Sequence, residues 1–274
     1  MGSEVFKELN QAGHKVFAPS HSELDITDEN KMLDYVQQIS PEAVINCAGF
    51  TRVDDCERHQ KLAFEVNARG AENLAKASNK VGALMVQIST DYVFSGKKLG
   101  EYLEEDEPAP LNIYGRSKLE GERAVMKFSG KWLIIRTSWL FGRGGENFIQ
   151  KILKRWQEGA VELKIVSDER GRPTYAPDLA RAIRLLVERG LKGIYHFANK
   201  GIVSWFELAG EVFELIGDGP RLIPIKAEEF GLPARRPKNS ALSTKKIEEA
   251  LGIDIRHHQS ALKDYLTLLG LYKD

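Results

Sequence analysis

Three observations predict an α/β protein, a doubly wound parallel sheet joined to a smaller mixed α/β lobe. Strand-like and helical segments alternate through residue 142, the rhythm of βαβ units whose helices cover both faces of a parallel sheet. The run Ala83 to Ser89 is mostly apolar without clean alternation, which suits a strand buried on both faces. The length of 274 residues exceeds one typical domain of roughly 150, so one large unit or two unequal ones are expected.

The elements follow in order. Ser3 to Gly13 reads as a helix with a capping serine, apolar Val5, Phe6 and Leu9, and a terminating glycine. Strand-like His14 to Ser20 follows, then a helix from Asp28 to Ser40 with Met32, Leu33, Val36 and Ile39 at helical spacing. The strand Ala43 to Cys47, a long helix between Glu57 and Val81, the strand Ala83 to Ser89, a helix Asn112 to Phe128 and the strand Trp132 to Thr137 continue the alternation. After Phe141 the pattern becomes mixed: helix Glu146 to Gln157, strand Leu163 to Val166, helix Pro177 to Glu188, strand Tyr195 to Ala198, helix Ser204 to Ile216 and two short C-terminal helices. This divides the chain into residues 1–142 and 143–274, with segments around Ile165 and His196 able to return to the main sheet.

Composition narrows the function classes. Lys plus Arg and Asp plus Glu both number 39, so the chain lacks the basic excess that phosphate-backbone binding requires, and nucleic acid is not expected as a partner. No apolar run approaches the ~20 residues that span a bilayer, so no membrane partner is expected. Cys47 and Cys56 make neither a disulfide framework nor a metal quartet. With no signal peptide or glycosylation sequon, the expected location is the cytoplasm.

Tyr114 and Lys118 stand at i and i+4 on one helical face. A cation beside a phenol stabilises the phenolate, and a tyrosine so tuned exchanges a proton with a carbonyl or alcohol near neutral pH. The spacing alone is weak evidence, since such pairs arise by chance. Its context is Ser89-Thr90-Asp91-Tyr92-Val93-Phe94, polar residues leaving the carboxyl end of a buried-type strand, where ligands bind in open α/β sheets. Thr90 and Asp91 are open to a second reading as turn caps. A hydroxyl at a strand end followed by Tyr-x-x-x-Lys opening the next helix favours a hydride-transfer site.

With these motifs, and with Ile45-Asn-Cys-Ala-Gly49, Gly121-Glu122, Arg136-Thr-Ser-Trp-Leu-Phe-Gly142, Gly171-Arg-Pro-Thr174 and Arg236-Pro-Lys-Asn-Ser-Ala-Leu242, the chain resembles the extended short-chain dehydrogenase/reductase family over nearly its whole length. Within that family it is most similar to reductases of nucleotide-linked 4-keto-6-deoxy sugars. The resemblance implies a Rossmann-type dinucleotide-binding domain over 1–142 and a mainly substrate-binding lobe over 143–274. It implies NADPH-dependent reduction of the C4 ketone of a dTDP-linked sugar, in a protein able to form a homodimer. Tyr114 would donate the proton, Lys118 would hold the nicotinamide ribose and lower the tyrosine pKa, and Thr90 would hydrogen-bond the substrate carbonyl. Gly2, Asp25, Ile26, Ala48, Gly49, Asn67 and Ser89 would contact or back the cofactor. Asp91, Trp139, Arg235 and Arg236 would face the nucleotide sugar, the guanidinium groups suiting a pyrophosphate. A solvated loop is the alternative for the two arginines.

Two features depart from the family pattern. Such a fold begins with a strand and a glycine-rich turn whose following helix points at the pyrophosphate. Here Gly2 matches the last glycine of that turn, and the expectation is that the natural protein carries about a dozen more residues ahead of Met1. Without them poor folding or weak cofactor binding is expected. The segment ending Phe17-Ala-Pro-Ser-His21 lacks the acidic residue that grips the ribose of NAD, which favours NADPH while leaving NADH possible. An epimerase or dehydratase of the same superfamily, and a non-catalytic subunit related to the methionine adenosyltransferase beta subunit, remain as alternatives. Elsewhere, Glu104-Glu-Asp-Glu107 reads as a solvated loop, His257-His258 as surface residues and Cys47 as core, and no metal ligands are identified.

Overall fold

The structure is a computed structural model that describes residues 1–272. It opens with α1 (Gly2–Gln11) and α2 (Glu29–Ile39). Helix α2 is capped by the Asp28 carboxylate, which accepts from Lys31 N, and stops at Ser40 in the left-handed region. Strand β1 (Ala43–Asn46) follows, then α3 (Val53–Arg58), α4 (Gln60–Phe64), one π-helical turn over Glu65–Arg69, and α5 (Gly70–Lys80). Strand β2 (Leu84–Thr90), helix α6 (Ile113–Phe128) and strand β3 (Trp132–Thr137) complete the first half. The second half runs β4 (Leu140–Phe141), α7 (Phe148–Gln157), β5 (Glu162–Val166), β6 (Arg170–Gly171), β7 (Thr174–Tyr175), α8 (Ala176–Glu188) and β8 (Gly193–Phe197). It ends with β9 (Val203–Ser204), α9 (Trp205–Ile216), β10 (Arg221–Ile225), α10 (Ala227–Phe230), α11 (Lys245–Leu251) and α12 (His258–Leu268).

The main sheet is parallel, in the order β1-β2-β3-β8, with Ala43 opposite Leu84, Met85 opposite Trp132 and Leu133 opposite Gly193. Its middle strands carry apolar side chains on both faces because both faces are covered. Val86, Leu133 and Ile135 pack against α1 and α8, while Met85 and Ile134 pack against α2, α5 and α6. Helix α8 buries Leu179, Ile183 and Leu186, one helical stripe, and each such side chain contributes roughly 1.5–3 kcal/mol on leaving water. A second core, built on Ile149, Leu163, Val212, Leu262 and Tyr265, holds the smaller lobe together.

Of the two segments able to return to the main sheet, the one around His196 does so as β8. The one around Ile165 pairs in parallel with β10 and stays in the smaller lobe. Two expectations are corrected. The predicted long helix is broken, because His59 (φ −123°, ψ 53°) interrupts it and the π-helical turn adds a second irregularity. The predicted strand His14 to Ser20 has no regular secondary structure and forms no ladder among the described residues. The outer edge of β1 is likewise without a strand partner there, and a cavity of 1950 Å³ lies between that edge, α1 and the segment Lys15 to Ala18. A strand cannot form without a neighbour to take its N–H and C=O groups.

Candidate active site

Strand β2 ends at Thr90 and turns immediately through a 3₁₀ turn, Asp91–Val93. The Thr90 side chain caps that turn by accepting from Tyr92 N at 3.1 Å, and its hydroxyl donates to Asp91 Oδ1 at 3.0 Å. Helix α6 starts beside it under two caps: Asn112 Oδ1 accepts from Gly115 N at 2.8 Å, and Glu57 Oε1 accepts from Ile113 N at 2.8 Å. Gly115 permits the approach, since a Cβ there would lie 2.2 Å from Tyr92 O. The first turn of α6 therefore presses on the turn after β2. The Tyr114 phenol meets the Thr90 hydroxyl, and the Tyr92 and Tyr114 rings meet edge to face at 5.8 Å between centroids.

One turn further along α6, Lys118 is buried and its Nζ donates to Ile88 O at 2.6 Å. Burial pushes its pKa down to about 8, against the opposing pull of Glu122 and Cys47. Burial holds the Tyr114 phenol well above its ordinary range, with Thr90 acting in the other direction. The Lys118 ammonium is turned to the β2 carbonyl, and the shift of Tyr114 comes mainly from burial. A raised phenol suits a proton donor, which must hold its proton until the substrate arrives. Behind the pair, Arg136 on β3 grips Glu122 through two bonds, Nε to Oε1 at 2.9 Å and Nη2 to Oε2 at 2.7 Å, both side chains buried. That fork fixes α6 against the sheet.

Thr90, Asp91, Tyr114, Lys118 and Trp139 line a cleft of 1610 Å³ between the sheet's carboxyl edge and the smaller lobe. Ser89 joins them, its hydroxyl buried without a partner. Gly2, Asp25, Ile26, Ala48 and Gly49 line the second cavity, and Cys47 and Ala48 border both. Asp25 Oδ1 accepts from the backbone and side chain of Thr27, so it shapes a turn at the cavity wall.

Asn67 lies in the π-helical turn behind the loop after β1, its side chain accepting from Phe50 N at 2.8 Å and donating to Phe50 O and Ser117 Oγ. It positions that loop against α6. Arg236 is no solvated loop residue: it pairs with Asp54 at 2.7 Å, at the start of α3. Arg235 is exposed at the cleft rim, and its carbonyl accepts from Asn112 Nδ2.

Sequence reasoning missed several residues. Trp205, at the first position of α9 behind the Ser204–Glu207 capping box, stacks face to face on Trp139 at 3.5 Å between centroids, and Phe148 leans on it. Trp139 itself takes φ 47°, a left-handed conformation rare for a bulky residue and common where strain serves a site. A tryptophan beside a capping box was the available signal. Glu104 is buried and accepts from His196 N at 2.9 Å, so one member of the acidic run belongs to the core. His258 is also buried, with Nε2 2.6 Å from Glu211 Oε2 and Nδ1 2.9 Å from Lys200 O. Cys47 is only half-buried, and burial raises its thiol to about 11, away from the thiolate form.

A Tyr-x-x-x-Lys pair on the helix that follows a Thr-ended parallel strand, facing a second lobe across a cleft, defines a reductase of the extended short-chain dehydrogenase/reductase class. Comparison with known proteins narrows this. Residues 1–270 match the RmlD substrate binding domain family. The chain is 41% identical over 266 residues to the spore coat polysaccharide biosynthesis protein SpsK of Bacillus subtilis, covering 97% of this chain and 93% of that protein. It is 36% identical over 277 residues to a dTDP-4-dehydrorhamnose reductase of Aggregatibacter actinomycetemcomitans, covering 96% and 94%. A dTDP-4-dehydrorhamnose reductase of Bacillus anthracis, solved in complex with NADP, superposes with a TM-score of 0.94 at 38% identity, over 97% of this chain and 95% of that one. The chain belongs to the dTDP-4-dehydrorhamnose reductase family.

Proposed function

We propose that the protein reduces the C4 ketone of dTDP-4-dehydro-6-deoxy-L-mannose to give dTDP-L-rhamnose, with NADPH as reductant. The observation that carries this reading is the meeting of Thr90, Tyr114 and Lys118 in one cleft, in a chain whose relatives bear that activity's name. The residues present fit a nicotinamide dinucleotide. Ser89 offers an unpartnered buried hydroxyl, and Gly49 leaves open a space in which a Cβ would lie 3.3 Å from Asn67 Oδ1 and 3.9 Å from Lys118 Nζ. Ala48, Gly49, Ser89, Tyr114 and Lys118 would hold the nicotinamide half, Gly2 the diphosphate, and Asp25 and Ile26 the adenine half. NADPH bound there supplies the hydride.

The chain's own residues do the rest. The Thr90 hydroxyl holds the substrate carbonyl oxygen beside Tyr114, and the Tyr114 phenol delivers its proton to that oxygen. Lys118 leaves Ile88 O for the ribose, where its positive charge stabilises the phenolate that remains. Trp139, backed by Trp205, provides a flat wall for the sugar, and Arg235 and Arg236 supply positive charge for the diphosphate. No helix among the described residues is long and apolar enough to cross a membrane. The reading is of a cytoplasmic enzyme that works on a small-molecule substrate and is able to form a homodimer. The test is substrate-dependent NADPH oxidation with identification of the sugar product. Protein that binds NADPH and is offered the 4-keto substrate, yet oxidises none, would overturn the proposal.

A further inference from the structure

We propose that Asp91 stores the proton that reloads Tyr114 through the Thr90 hydroxyl between turnovers; this rests on the reductase reading above. Three groups stand in line. The Tyr114 phenol lies beside the Thr90 hydroxyl, and that hydroxyl bonds Asp91 Oδ1 at 3.0 Å. Tyr92 N donates to Thr90 Oγ1 at 3.1 Å and holds it in place.

The carboxyl group itself is unusual. Asp91 is 2% exposed, and its second oxygen, Oδ2, is buried without a hydrogen-bond partner although the residue lines the cleft. A buried carboxylate with one bare oxygen is costly, and the acid form relieves that cost. Among the described residues no cation offsets it: Lys118 donates to Ile88 O and Arg236 pairs with Asp54. The groups facing Asp91 are Thr90 and Tyr92 from its own turn, Tyr114 from α6 and Ser240 from the segment before α11, and the Ser240 hydroxyl lies beside the carboxyl without closing a bond to Oδ2. Burial raises the Asp91 pKa to about 7, partly countered by Ser240 and Thr90, so the group changes charge where the enzyme works.

The protons balance. In the chemical step Tyr114 gives its proton to the substrate oxygen and is left as phenolate. The Thr90 O–H bond then breaks toward Tyr114 Oη while the Asp91 O–H bond breaks toward Thr90 Oγ1. Asp91, now a carboxylate, takes a proton from water in the open cleft, so each turnover draws one proton from solvent. No redox change occurs in the relay.

Asp91→Asn keeps the size and an acceptor oxygen but cannot pass a proton. Rapid mixing with NADPH and the 4-keto substrate is expected to show one equivalent of NADPH oxidised per site at the wild-type rate. Steady turnover afterwards should be at least about tenfold slower, within the range acid–base groups control, with KM unchanged. If the first turnover slows as much as kcat, or KM alone rises, Asp91 orients substrate and the proposal fails; it fails equally if neither rate changes. Wild-type protein that binds NADPH and shows no oxidation sinks the reductase reading instead. Infrared spectra of protein with ¹³C-labelled aspartate, taken without cofactor, give an independent readout. A protonated carboxyl band that disappears as pH rises through about 7, and is missing in Asp91→Asn, is expected; its absence in the wild type overturns the proposal even if the variant does not fold.

Discussion

Gly115→Ala perturbs the site while leaving every reacting atom in the chain. A Cβ at position 115 would stand 2.2 Å from Tyr92 O and 2.9 Å from Tyr92 C, where ordinary contact begins at 3.4 Å. The obstacle is backbone, so no side chain can swing aside. Relief requires a shift of 3.4 − 2.2 = 1.2 Å between the first turn of α6 and the turn after β2, which separates Tyr114 from Thr90. A misplacement of about 1 Å at a reacting centre costs roughly 10²-fold in rate. Overpacking costs about 1–3 kcal/mol of stability, offset by up to about 1 kcal/mol for replacing glycine in a helix. The matched control is Gly210→Ala in α9, whose Cβ meets nothing within 4 Å; it is expected to stabilise by about 0.5–1 kcal/mol and leave kcat unchanged. Steady-state NADPH oxidation and urea denaturation read both quantities. A Gly115→Ala protein with wild-type kcat would refute the claim that close packing of these two turns assembles the site.

Other consequences are open to direct measurement. Tyr114→Phe is expected to lower kcat by about 10²–10⁴-fold with binding of the dTDP sugar retained, and calorimetric titration checks the second half. Arg136→Met leaves a buried Glu122 charge unpaired and is expected to cost about 3–5 kcal/mol in urea denaturation, much of it regained when Glu122→Leu is added; equal stability of the single and double variants would contradict this. Trp205→Ala removes the support under Trp139 and is expected to raise KM roughly two- to tenfold with kcat little changed, so an unaltered KM counts against the aromatic wall. Stability should also respond to Asp91. Its folded pKa, about 7, lies above the ordinary 3.8, so the folded state holds the extra proton, and stability is full below pH 3.8 and lost as pH rises through 7. Asp91→Asn should flatten that fall, and an unchanged slope between these pH values would exclude the raised carboxyl.

The parallel sheet, the helix carrying Tyr114 and the strand end carrying Thr90 were legible because local signals mark them: apolar runs, Asn112 as a cap, and the i to i+4 spacing of tyrosine and lysine. What stayed hidden depends on contacts far apart in sequence. Glu104 looked like one of four solvated acids, yet it reaches His196, 92 positions away. Arg236 reads in sequence as a cation for the diphosphate, with a solvated loop as the alternative, and nothing local reveals its partner Asp54, 182 positions earlier. The π-helical turn in the predicted long helix falls where α6 crosses so closely that a Cβ on Gly121 would lie 2.2 Å from Asn67 O, a constraint helical periodicity does not carry. His14 to Ser20 has strand composition and lacks a neighbour to pair with, which shows that apolar patterning states a preference and the ladder decides.

The central claim is that hydride goes from NADPH to C4 of the dTDP-linked sugar while the protein supplies the proton. The most direct measurement uses NADPH carrying deuterium at the transferable position of the nicotinamide, with the product examined by mass spectrometry and NMR. The account predicts one deuterium per molecule, at C4 of dTDP-L-rhamnose, with one NADPH consumed for each product formed. A sugar product without deuterium at C4, or turnover with no net loss of NADPH, would contradict it.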